Sequence, residues 1–210
     1  FVVLATELLA IRLLMPFVGN GTEVIAIIIS AVLLPLAFGY NYGGNNFGKG
    51  STVFVRKRLN RNLLTSLWFL VFGMSYVVQE IFFDGLTIIG IKNHIIQTTL
   101  FCGIFIVYPV FLLAQTVPLI SNYFSKGKLS EITGRILFFS TSGSFIGSVF
   151  TTLVLMMVIG VHKTVVVVLS ALFLIVVLLN KKILNFNSYL SALALVLGVF
   201  LNISVFEQLN

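Results

Sequence analysis

From Thr164 to Asn180 the chain runs without one charged residue, through four consecutive valines and a leucine-rich tail. A segment of this length and apolarity reads as a membrane-crossing helix. Segments like it recur about seven times along the chain, and they leave only 9% of its 210 residues charged. A soluble domain carries about 25%. So few charges cannot cover a water-facing surface, so the fold class is all-α, a polytopic transmembrane helical bundle of about seven spans forming a single domain over residues 1–210. The aromatic residues are mostly phenylalanine, 21 in all, which has no polar group to satisfy in lipid.

The apolar segments lie at about 1–15, 23–41, 62–80, 95–118, 133–160, 164–180 and 188–205. Pro16 is expected to end the first, and Pro35 to kink the second. Ile81–Ile91 reads as a short interfacial piece, and His162 with Lys163 as a tight turn. The first segment up to Leu14 gives about 21 Å of helix, short of the roughly 30 Å hydrocarbon core. The chain also begins at Phe1 inside an apolar run, so we expect this span to be incomplete at its N-terminus. Glu7 and Arg12 fit a cleaved signal peptide badly.

Orientation follows from lysine and arginine. Lys49, Arg56, Lys57, Arg58, Arg61, Lys126, Lys128, Arg135, Lys181 and Lys182 flank the even-numbered connections, against Lys92 and Lys163 on the odd ones. The even connections are therefore expected in the cytoplasm, with the N-terminus inside, Asn210 outside, and the chain multi-pass in the cell membrane. Glu23, Glu80, Asp84 and Glu207 then fall outside. This clustering accounts for the net charge of +7 as membrane topology, and no nucleic-acid partner is expected.

Ser140-Thr-Ser-Gly-Ser-Phe-Ile-Gly-Ser-Val-Phe-Thr-Thr152 is a run of small and hydroxylic residues inside one apolar span. Ser140, Ser144 and Ser148 are four apart and share a helix face, while Gly143 and Gly147 form a small-xxx-small pair beside it. Such a stripe either packs helices closely, with hydroxyls bonded back to the preceding turn, or lines a polar path. Glu7 and Arg12 are the expensive residues, because an ionisable group inside a span carries a functional hypothesis by default. Lying five apart, about 140° around the helix, they cannot pair well within it. Arg12 can reach the interface. Glu7 needs a partner from another span, for which Gln115 and the Ser140 face are the candidates.

Other motifs carry less. Gly43-Gly-Asn-Asn-Phe-Gly-Lys-Gly50 approaches a phosphate-binding loop, but Gly50 stands where a hydroxyl belongs and no strand precedes it. Arg56-Lys-Arg58 could hold anionic lipid headgroups, though a topology anchor explains it. Asn20-Gly-Thr22 and Asn202-Ile-Ser204 match the glycosylation acceptor. Cys102 alone allows no disulfide or cysteine cluster, and His94 and His162 lack a ligand set, so neither a metal nor a cofactor is expected.

Three pieces together, Glu7-Leu-Leu-Ala-Ile-Arg12, Phe17-Val-Gly19 and Gly39-Tyr-Asn-Tyr-Gly-Gly44, resemble the opening of the transmembrane region of membrane-bound spermidine synthase-like proteins. Pro118, Gly134-Arg135, Ser140-Thr-Ser-Gly-Ser144, Gly147 and Ile159-Gly160 resemble that family's fourth and fifth spans. The resemblance covers most of residues 5–165. It implies a transporter-like bundle, distantly similar to half of a major facilitator. The family's nucleoside-binding and paired-aspartate segments are absent, so no aminopropyltransferase activity carries over and the chain is read as non-enzymatic. Asn45 and Asn46 replace an acidic residue usual there. The reading that follows is a bundle that binds or moves a small polar or cationic solute, with Glu7, Arg12, Gln115, Ser140, Ser144 and Ser148 as its intramembrane polar site. Its partners are the bilayer and a second copy of itself. The alternative is a scaffold that assembles with a membrane-protein partner through the Gly143/Gly147 stripe.

Overall fold

The alternation of apolar stripes at three- and four-residue spacing leaves helix as the only regular structure among the described residues. The computed structural model describes residues 1–45, 52–123, 129–180 and 186–204. The helices are α1 (Val2–Val18), α2 (Thr22–Asn45), α3 (Thr52–Gly73), α4 (Tyr76–Ile88), α5 (His94–Phe105), α6 (Val107–Ala114), α7 (Thr116–Tyr123), α8 (Leu129–Phe150), α9 (Met156–Ile159), α10 (Val161–Leu179) and α11 (Phe186–Val199). A π-helical turn, Thr151–Leu155, joins α8 to α9, and another, Phe200–Ser204, follows α11. Among the described residues four helices are long and apolar enough to cross a membrane, or up to six spans if each bent pair counts as one.

Two cores share α1. Val2, Ala5, Leu9 and Leu13 pack with Val55, Leu59, Leu63 and Leu67 of α3 and with Val165, Leu169, Leu172 and Val176 of α10. The spacing of each set is three or four, so each forms one stripe along its helix. On the adjoining side of α1, Ala10, Leu14 and Val18 meet Val24, Ile28 and Val32 of α2 and Phe101, Cys102 and Val110 of α5 and α6. Beyond these cores the surface is apolar too: Phe138, Phe139, Phe145, Leu153, Met157 and Val158 on α8, the π-turn and α9 are all exposed. That is the pattern of helices solvated by lipid.

Several boundaries depart from expectation. Pro16 lies inside α1, which continues to Val18 and ends at Gly19 with φ 79°; a proline near the C-terminus removes one hydrogen bond without stopping the last turn. Gly43, Gly44 and Asn45 are the end of α2, not a loop, and the rest of the phosphate-loop-like stretch lies outside the described residues. So do Lys49, Lys126, Lys128, Lys181, Lys182, Glu207 and Asn210. The basic residues Arg56, Lys57, Arg58 and Arg61 sit in α3 itself. Arg56 donates to the carbonyl of Leu179 at the end of α10, where a cation also suits the helix dipole.

The spans expected at 62–80 and 95–118 are both broken. The third bends by 64° between α3 and α4, and the fourth by 41° between α5 and α6. A break frees backbone groups that lipid cannot satisfy. Gln79 meets this need by donating to the carbonyl of Gly73 (2.9 Å). At the turn between α4 and α5, Gln97 donates to the carbonyl of Ile91 (2.8 Å). α4 occupies most of the stretch expected as an interfacial piece.

Among the described residues α2 passes very close to α6 and α7. A Cβ on Gly39 would lie 2.4 Å from the Cβ of Ala114 and 2.6 Å from the carbonyl oxygen of Phe111, and one on Gly43 would lie 2.6 Å from Pro118. Gly39 and Gly43 are thus the small-xxx-small seam of this bundle. Gly147 is a second close contact, with a Cβ position 2.9 Å from the Cα of Phe1. Gly143 is not a packing contact: nothing lies within 4 Å of its Cβ position. Residues four apart share a face only nearly, and here the α1 backbone passes one of the two.

Candidate functional site

The serine face of α8 turns inward. Ser140 and Ser144 line a cavity of about 280 Å³ together with Tyr40 of α2, Thr116 of α7, and Val3 and Leu4 of α1. Neither serine makes a hydrogen bond among the described residues, so their hydroxyls do not bond back to the preceding turn. The buried hydroxyl of Thr116 has no partner either. Most of the remaining wall is apolar. Polar groups left open at an apolar wall inside a bundle are places for water or a solute polar group, because leaving each unpaired costs about 1–3 kcal/mol.

Beside this cavity the bundle holds buried amides. Asn62 and Ser66, four apart on α3, face the neighbouring broken span. Asn62 donates to Oε1 of Gln115 (3.0 Å), and Ser66 donates to the carbonyl of Pro109 (3.2 Å). Gln115 is fully buried between α6 and α7. Its Nε2 has no hydrogen-bond partner among the described residues.

The six polar residues expected to form one site are thus divided. Ser140 and Ser144 share the cavity, and Gln115 lies next to its Thr116 wall. Ser148 does not line it; its hydroxyl donates to the carbonyl of Phe145 (3.0 Å). Glu7 stands one turn beyond Val3 and Leu4 on α1, half-buried, and no hydrogen bond joins it to Gln115 or to the serines among the described residues. The expected pairing is not made, although the Gln115 Nε2 donor a carboxylate would need is open; only its Oε1 is engaged, by Asn62. Arg12 is exposed at the other end of α1, where it lines a separate cavity with His162 and Lys163.

Asn202 is 1% exposed and donates to the carbonyl of Gly198 (3.0 Å), so the acceptor pattern there is closed to a glycan. Asn20 is exposed. Among the described residues no three His, Cys, Asp or Glu side chains are grouped to hold a metal. Asn62, Ser66, Tyr40 and Thr116 escape sequence reading, although a polar pair four apart at the start of an apolar segment is a usable signal for the first two. Comparison of the chain with family models, with curated proteins and with solved structures returns no match.

Proposed function

We propose that this chain is a multi-pass protein of the cell membrane whose bundle binds or moves a small polar or cationic solute through the cavity between α1, α2, α7 and α8. The observation that carries this reading is the set of open hydroxyls on Ser140, Ser144 and Thr116 beside the buried Gln115 amide. Donors and acceptors held without partners in a mostly apolar recess are what orient a small ligand. Glu7, one turn along α1 from the cavity wall, supplies the negative charge a cationic solute requires. Resemblance to the membrane region of spermidine synthase-like proteins makes polyamines the first class to try, and a bundle like half a facilitator suits a homodimer. The scaffold reading would rest on Gly143, whose Cβ position is open, because Gly147 is occupied by Phe1 of the same chain.

The test is uptake of radiolabelled spermidine into proteoliposomes. We expect uptake above that of empty liposomes, and a loss of at least tenfold in Glu7→Gln and in the cavity-filling pair S140L/S144L, each still monodisperse in detergent. Uptake no greater than in empty liposomes, or unchanged in both variants, would overturn the reading.

We further propose seven spans, counting the 17-residue α1 with the six of length and composition to cross, and a cytoplasmic N-terminus. The support is the placing of basic residues around the two ends of α10, with the larger group, Arg56, Lys57 and Arg61, beside its C-terminus at Leu179. In a Cys102→Ser background, a cysteine replacing Lys92 should react with an impermeant maleimide in intact cells. One replacing Lys57 should react only after permeabilisation. Reversal of the two would invert the topology.

A further inference from the structure

We infer that the outer cavity is a binding site for a single phosphate group. Its volume is about 680 Å³, and it is lined by Arg12 and Pro16 of α1, Tyr76 of α4, His162 and Lys163 of α10, and Asn202. Four separate parts of the chain therefore meet there. No carboxylate lines it. Among the described residues neither Arg12 nor Lys163 has an acidic partner, the one ion pair being Glu131 with Arg135 on α8.

The backbone adds to the same field. α10 begins at Val161, immediately after Gly160 with φ 81°, and no side chain caps it. The N–H groups of its first turn have no carbonyl behind them, and the helix dipole places partial positive charge at the same spot. A 19-residue helix presents this end beside two side chains of full positive charge, with the Tyr76 phenol and the His162 imidazole at the same wall. Asn202, at the same wall, is buried and tied to the carbonyl of Gly198. Donors from a helix start combined with arginine and lysine recognise a tetrahedral oxyanion, the arginine by its planar fork and the lysine as a point charge.

On the proposed topology the cavity lies at the ends of α1 and α10, at the level of the headgroups, so the phosphate has two sources, a phospholipid phosphodiester or free inorganic phosphate. Native mass spectrometry of the full chain in a neutral detergent separates them. The protein is titrated with phosphatidylglycerol and with phosphatidylcholine, each with and without inorganic phosphate. We expect phosphatidylglycerol to bind at least tenfold more strongly than phosphatidylcholine, or inorganic phosphate to bind in its own right. R12Q/K163Q should lose that binding at least tenfold, whereas R12K/K163R should keep most of it, which separates charge from folding. Displacement of the lipid by millimolar phosphate assigns the site to a free anion, and lipid binding indifferent to phosphate assigns it to a headgroup. Equal binding by the parent chain and R12Q/K163Q, or a loss of the same size in the far-end variant K57Q/R61Q alone, overturns the inference. So does a parent chain that binds neither anion above phosphatidylcholine.

Discussion

Gly39→Ala should lower the stability of the purified protein by about 1–3 kcal/mol or more, and Gly39→Leu should leave no folded bundle. A methyl group at this position meets the Cβ of Ala114 at 2.4 Å and the carbonyl oxygen of Phe111 at 2.6 Å. The second contact is backbone, which cannot swing aside as a long side chain can. To make room, α2 must move away from α6 along their whole contact, and close packing between membrane helices falls steeply with separation. Gly143→Ala is the matched control. With open space at its Cβ position, it should be neutral or stabilise by up to about 1 kcal/mol through helix propensity. Thermal unfolding in detergent followed by circular dichroism measures both. Equal midpoints for Gly39→Ala and the parent chain would count against the seam.

The second large effect should come from the buried amides. Asn62→Leu leaves the Gln115 side chain with neither of its polar atoms bonded, since Nε2 already lacks a partner among the described residues. The cost should be about 1–3 kcal/mol. Gln115→Leu should cost less, because it removes an unpaired donor at the same time as it strands Asn62. The double variant N62L/Q115L should recover at least half of the loss seen in Asn62→Leu, as replacing both partners by apolar groups of like shape is nearly neutral. A cycle with no coupling between the two sites would show that the bond contributes nothing to folding. If uptake falls in the double variant while stability is regained, the amides serve the solute rather than the fold.

Much of the architecture is legible in the order of residues. Long charge-free segments force helix, because a backbone in hydrocarbon must satisfy its own hydrogen bonds. Gly19 and Gly160 mark turns because each takes a positive φ, which other residues rarely adopt. The breaks at Met74–Ser75 and Ile106 are not legible. They arise where packing against neighbouring helices, and side chains such as Gln79 reaching the freed carbonyl of Gly73, make a bent span cheaper than a straight one. Pro16 shows the converse, a breaker that the helix accommodates in its last turns.

For the candidate site, sequence alone determined the vocabulary: a serine stripe on one face of α8, an amide at Gln115, and the charges at Glu7 and Arg12. Helical periodicity fixes which residues share a face, and composition fixes that the faces meet lipid or one another. Only the tertiary structure decided which face meets which helix. It turned Ser140 and Ser144 inward onto Tyr40 and Thr116 and closed Gln115 onto Asn62. It also carried Arg12 away to the end of the bundle with His162 and Lys163. The reason is physical: a period of 3.6 residues names a direction around one helix, whereas contact between helices depends on their crossing and register. Those are set by steric fits such as Gly39 against Ala114, 75 positions apart in the chain, and no local pattern encodes a distance of that kind.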